Sequence, residues 1–544
     1  MIGRSGIDVP PRTTAGVDAD RRRRGANRGL GCLLVVALTL LTGCTLGPSQ
    51  RPALATFGTP QAPSDAATST TPPLGAGGPG QRADPIQWKA CSDVDSSDSA
   101  TGLTFEVDCA EIVVDRKSVS SFGDQDIQVA RARAAGVGSD APAVVVLRGA
   151  PGENGRDRVA TVAAALSPAV RDHFAVITVD LAGTGRSGPV DCLSNHDTAA
   201  LLTLGTDPTE PASAAALAEL ARSLTFECGD LAGPELSQIN STTATDDLDA
   251  LRDALGTTTL NLIGRGFGAT LAAVYADRYP GRVGSAVLDA PADPLEQLDA
   301  RAAAVAVAAE HALDTFVASC PGFTGGCPLG ADPKATVTAA ISTLDGARGA
   351  DPGAGQANGG TVLLTLLLRL GDPAGWPKLA TALAAAAKGS SQQIEDLLTE
   401  TLALDTGSSW LGSALIYGCN DSALRVSPDQ MATAVEAIRP QAPVLGPYTV
   451  GLVGLCSSWP APEAALGAVK AAGAAPILVL GAAADPTAPY AAVRSLAGQL
   501  GSATLISWQS GHHGSYPDSP CISAAVDAYL LSAQLPAVGT LCPP

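Results

Sequence analysis

The 544-residue sequence has little charge, few histidines and no closely spaced cysteine pair, and each scarcity removes a class of function. Only 16% of residues are charged, against 46% hydrophobic. A chain of that balance buries a substantial core rather than remaining disordered. The charge it does carry is mostly negative, with a net −19. Without residues 1–43, which hold seven Arg and three Asp, 27 basic residues face 50 acidic ones, a net of −23. Such a chain repels phosphate backbones, so no nucleic-acid partner is expected. Five histidines and no C-x-x-C pair argue against a metal site. No Walker lysine follows the glycine-rich loops, which argues against phosphate binding. The N-terminal apolar run, Leu30 to Leu41, falls short of the roughly 20 residues a bilayer span requires.

What the N-terminus does contain is an export signal. Arg21 to Arg24 form a basic cluster, the apolar run follows, and it ends in Leu41-Thr42-Gly43-Cys44. That order fits a signal peptide over residues 1–43. The last four residues resemble the bacterial lipobox, in which the cysteine becomes diacylated and N-terminal. The expectation is a lipoprotein held through Cys44 on the outer face of the cell membrane. Acyl chains contribute about 0.8 kcal/mol per buried CH₂, so two or three hold a protein firmly. Residues 44–85, rich in Pro, Thr, Ser, Ala and Gly, read as a flexible tether with a reach of roughly 35 Å. Setting Cys32 and Cys44 aside, ten cysteines remain, an even number as disulfides require. Their order suggests neighbour pairing: Cys91 with Cys109, Cys192 with Cys228, Cys320 with Cys327, Cys419 with Cys456, and Cys521 with Cys542. Other connectivities stay open.

From about residue 86 short apolar runs alternate with helical stretches. The runs are Ala143–Leu147, Phe174–Val179, Thr259–Ile263, Ser285–Leu288, Pro476–Leu480 and Ala503–Trp508. Continuous apolar character marks strands buried on both faces. Alternation with helices implies an α/β fold, a mostly parallel sheet with covering helices. One long interruption, residues 296–440, reads as Ala/Leu-rich helices separated by glycine-rich loops. Ligand sites lie at the carboxyl ends of parallel strands, so an insertion leaving there covers the site as a helical lid. The expected organisation is a core over 86–295, the lid over 296–440, and the rest of the core over 441–544.

Four segments carry chemistry. Arg148-Gly149-Ala150-Pro151-Gly152 follows the first run and has the form of a turn that aims backbone N–H groups at a developing oxyanion. Asp180-Leu181-Ala182-Gly183-Thr184-Gly185-Arg186-Ser187 follows the second. Gly264-Arg265-Gly266-Phe267-Gly268 follows the third and opens a helix over Ala269–Tyr279. It has the strand, turn, helix and flanking glycines of a G-x-S-x-G nucleophile elbow, with Gly266 where serine would stand. Glycine has no group to attack with, and it adopts strained turn angles freely. Thr270, four residues into the helix, is expected to point away from the tip. Asp485, in GAAADPTAPY, and His512 or His513, in QSGHHGSYP, follow in the chain order nucleophile, acid, histidine.

These residues resemble the tripeptidyl aminopeptidase-like and prolyl aminopeptidase-like α/β-hydrolases over about Ile86 to Pro544. RGAPGENG is similar to the family's G-G-P-G loop, and DLAGTGRSGPVDC to its D-x-R-G-x-G-x-S-x-P-x-x-C. Tyr417-Gly418-Cys419-Asn420-Asp421 resembles its I-x-C-x-D stretch. The resemblance implies an α/β-hydrolase fold with Asp485 as the acid and His513 as the histidine. It also implies Phe267 and Ala150 N–H groups as oxyanion donors, a small peptide or ester ligand, and no cofactor. The departure falls on the nucleophile position, Gly266. Three functions stay open: a binding protein with weak or no peptidase activity, a hydrolase using His513 to activate water, and a structural envelope protein with a filled pocket. Since the elbow glycines, the oxyanion loop, Asp485 and His513 all read as present, Gly266 looks like one group lost from an assembled site.

Overall fold

The computed structural model describes residues 84–114, 125–153, 155–346, 356–402, 404, 410–462 and 465–544. The signal peptide, the lipobox with Cys44 and nearly all of the tether lie outside the described residues. The apolar runs form a sheet because each can bury both faces. Among the described residues ten strands pair in the order β1 (Lys89–Ala90), β2 (Glu106–Val114), β3 (Gln125–Arg133), β5 (Ala175–Val179), β4 (Ala143–Leu147), β6 (Leu260–Arg265), β7 (Val283–Asp289), β8 (Ile477–Ala482), β9 (Ala503–Trp508) and β10 (Leu541–Cys542). From β5 through β10 every pairing is parallel; β1, β2, β3 and β5 pair antiparallel. The chain thus has an α/β-hydrolase fold.

Strand side chains alternate between two cores. Ile177, Leu262, Leu288 and Val479 pack on one face with Leu251, Leu271 and Tyr275. Val144, Ile263, Val287 and Leu478 pack on the other with Val170, Ile522 and Val526. The hairpin β2–β3 was not expected from sequence. It alternates buried positions with charged ones, Asp108 pairing with Arg131 and Arg133, so it contains no continuous apolar run.

Between β7 and β8 the chain leaves the sheet and forms helices from Leu298–Ser319 onward. The helices run on to Gly446–Gly451 and a short turn at Leu452–Cys456, past the expected boundary at 440. A second difference concerns the segment assigned to the first part of the core. Leu201, Leu204, Leu217, Leu220 and Leu224 join the helical cluster around Leu313, Phe316, Leu366 and Leu379. The buried leucines of the Pro211–Ala232 helix find their partners there, while Cys228 and Ala232 at its C-terminal end pack in the sheet core. The Leu298–Gly322 stretch is long and apolar enough to cross a membrane by length and composition, yet Ala309, Leu313 and Phe316 are buried among these helices. The ten cysteines form five neighbour pairs, Cys91–Cys109, Cys192–Cys228, Cys320–Cys327, Cys419–Cys456 and Cys521–Cys542.

Candidate active site

Four of the sequence-derived segments meet at the carboxyl end of the sheet. β6 ends at Arg265, Gly266 turns with φ 53° and ψ −118°, and the helix Phe267–Arg278 begins at once. Positive φ suits glycine and strains other residues. The flanking glycines permit close backbone approach: a Cβ on Gly264 would collide with the Gly268 carbonyl, and one on Gly268 with those of Leu147 and Arg148.

Asp485 follows β8 and is buried. It accepts the N–H groups of Thr487 (2.8 Å) and Ala488 (2.9 Å), which fix its carboxylate. Its Oδ2 lies 2.9 Å from His513 Nδ1. With Nδ1–H donating to Asp485, the Nε2 lone pair faces the elbow, 3.4 Å from where a Gly266 Cβ would stand. His512 instead stacks on Trp508 at 4.8 Å and bonds Ser510 through Nδ1. The geometry therefore sets His513, and not His512, beside Asp485.

Several supports were not read from sequence. Asp289, at the end of β7, accepts Ser515 N–H (2.8 Å) and Tyr516 N–H (3.0 Å), and its own carbonyl accepts Gly266 N–H (2.8 Å). One residue thus ties the histidine loop to the elbow. Burial holds its carboxyl above the usual range. The signal available was its place directly after an apolar parallel strand. Arg265 donates to the His513 carbonyl, and Thr487 Oγ1 lies 2.7 Å from His513 Nδ1. From the helical insertion, Gly371 O accepts His513 N–H at 2.9 Å.

The oxyanion loop differs from the sequence reading. Ala150 N–H donates to Glu153 Oε2 at 3.1 Å, while Arg148 pairs with the same carboxylate. Phe267 N–H donates to Gly149 O at 2.9 Å, and Gly268 N–H to Arg148 O at 2.9 Å. Both N–H groups expected as oxyanion donors are thus engaged within the protein. A Cβ on Gly266 would lie 2.8 Å from Gly149 O. The loop therefore leans into the space a nucleophile side chain requires, and the site departs from an assembled triad by more than one group. The physical reason is that N–H groups at a helix start need acceptors, and nothing at Gly266 holds the loop carbonyl away.

Comparisons with known proteins agree with this architecture. Residues 442–542 match the family described as TAP-like protein. Over 482 residues the chain is 26% identical to the serine protease Hip1 of Mycobacterium tuberculosis, covering 84% of this chain and 91% of that protein.

The chain is similar to the tripeptidyl aminopeptidase-like α/β-hydrolases.

A tripeptidyl aminopeptidase of Streptomyces lividans is 26% identical over 214 residues, 38% of each chain. A solved proline iminopeptidase of Mycobacterium smegmatis aligns over 76% of this chain and 98% of its own, with 16% identity and a TM-score of 0.35. The elbow borders an open space and not a filled one: a cavity of about 320 Å³ lined by Gly266, Phe267, Thr270 and His513 among others. Thr270 lines the cavity, but its hydroxyl is directed to the Ala292 backbone. Its hydroxyl lies 3.3 Å from the Ala292 carbonyl and accepts Ala292 N–H at 3.0 Å. It is thus occupied structurally.

The helical insertion supplies the opposite wall, with Arg301 from Leu298–Ser319 and Ala414, Gly418 and Asp421 from Leu411–Asp421. Asp421 accepts Ser241 N–H (2.8 Å) and Oγ–H (2.6 Å), but burial outweighs those bonds and pushes its pKa up to about 6. Burial also raises the carboxyl of Glu296 and lowers the guanidinium of Arg301. Among the described residues no group of three His, Cys, Asp or Glu could hold a metal ion.

Proposed function

We propose that this chain is a lipid-anchored extracytoplasmic member of the tripeptidyl aminopeptidase-like hydrolases that binds a small peptide or ester-like ligand under its helical insertion and has weak or no peptidase activity. The observation that carries the reading is the pairing of Gly266 at the elbow with Gly149 O against Phe267 N–H. Acyl transfer requires a nucleophile and free oxyanion donors, and each normally contributes several orders of magnitude or a large share of the rate. Here the elbow offers neither. The cavity, the insertion across it and the Asp485–His513 pair support retention of a binding site. The test is turnover of a tripeptide p-nitroanilide by the purified protein. The reading expects a rate equal to that of His513→Ala; a rate that His513→Ala abolishes overturns it. Anchoring is tested by palmitate incorporation, which the reading expects to disappear in Cys44→Ala.

A second reading has one observation in its favour. His513 Nε2 faces the cavity with Nδ1 held by Asp485, the arrangement a general base needs to activate water. On that reading the protein is a hydrolase of small peptides or esters without a serine, and the same His513→Ala comparison decides between the two.

A further inference from the structure

The cavity at Gly266 contains a charge that the family chemistry leaves unused. Arg301, in the first turn of the Leu298–Ser319 helix, lines it from the side of the insertion. Among the described residues no hydrogen bond or ion pair engages its guanidinium, and Asp421 and Glu296 act on it only through space. Asp421 is committed to Ser241 through both oxygens. The cavity wall around it includes the apolar residues Phe267, Ala292, Leu298 and Ala414, with Glu296 as the acidic residue besides Asp421. A half-buried guanidinium with no hydrogen-bond partner is unfavourable unless something accepts its five donors. The planar fork matches a carboxylate in bidentate geometry.

We propose that the cavity selects a short peptide with a free carboxylate, which Arg301 binds while the rest of the peptide lies on the apolar wall beside Gly266. This rests on the ligand-binding reading above and names its ligand class. The consequence is a site that recognises the acidic end of a peptide, next to a dyad that does not cut it.

Calorimetric titration with tri-alanine as the free acid and as the C-terminal amide tests the proposal on the wild-type protein, with Arg301→Gln and Arg301→Lys as companions. A charge-assisted bidentate contact predicts that the acid binds roughly tenfold or more tightly than the amide. Arg301→Gln should bring the ratio close to one, and Arg301→Lys should keep part of it. Equal binding of acid and amide to the wild type overturns the proposal and leaves the ligand-binding reading standing. A preference that survives Arg301→Gln overturns the role of Arg301. Failure of both peptides to bind overturns the proposal together with its peptide ligand. The wild-type comparison stands even if a variant does not fold.

Discussion

Gly266→Ala isolates the closed elbow from any catalytic question. Ordinarily a Gly→Ala change that fits stabilises by about 0.4–1 kcal/mol, because alanine restricts the unfolded chain. At residue 266 two terms oppose that gain. The backbone has φ 53°, where a Cβ costs roughly 1–2 kcal/mol. The new Cβ would also stand 2.8 Å from Gly149 O, closer than carbon and oxygen tolerate, so the loop carbonyl must move and release Phe267 N–H. Displacement of that kind in a packed site costs about 1–3 kcal/mol. The sum is a destabilisation of about 2–4 kcal/mol, read by chemical denaturation as a lower midpoint with an unchanged slope. Gly266→Ser should lose a similar amount. Its hydroxyl would stand next to His513 Nε2, and the displaced carbonyl would leave the Phe267 N–H free for an oxyanion, so labelling by a fluorophosphonate should appear. A neutral or stabilising Gly266→Ala would refute the reasoning, since it would mean that Gly149 O does not occupy the elbow.

Other consequences are equally direct. Asp485→Ala removes the acceptor for two N–H groups and for His513, and should destabilise the protein by about 1–3 kcal/mol in a denaturant melt. Asp421 gives a pH signature. Its folded pKa, about 6, lies above the unfolded 3.8, so the folded state holds the proton more tightly and stability falls as pH rises between those values. Asp421→Asn should abolish that fall. The wild type should therefore lose up to about 3 kcal/mol relative to the variant between about pH 4 and about pH 7, measured by parallel denaturation curves. Replacing Cys419 and Cys456 by serine opens the link between the Leu411–Asp421 helix and the turn at Leu452–Cys456, and should cost about 2–5 kcal/mol, seen as a lower Tm.

The central strands were legible because each is a short apolar run buried on both faces, so β4 to β9 announce themselves by composition alone. The hairpin β2–β3 was hidden because Asp108, Arg131 and Arg133 interrupt it with charges that pair across the strands. The elbow and the acid and histidine segments were legible as local patterns tied to chain order. The resemblance already pointed to His513, and the structure adds the reason: the Trp508 ring takes His512 away from the site. Asp289 escaped because its task is to bind backbone N–H groups of a loop more than 200 residues onward, which no local pattern encodes. The oxyanion loop was misread for the same reason. Its residues resemble the G-G-P-G loop, with Ala150 in place of a glycine, while the direction of the Gly149 carbonyl depends on what fills the neighbouring residue's space. The leucines of Pro211–Ala232 were assigned to the wrong layer because a stripe shows that a helix buries one face, not against which partner.

A site of this kind without a nucleophile should resist a reagent directed at an activated serine. The most direct test is intact-mass spectrometry of the wild-type protein after incubation with a fluorophosphonate, with Gly266→Ser treated in parallel. The wild type should keep an unmodified mass and the variant should gain a single adduct. An adduct on the wild type that disappears in His513→Ala would contradict it.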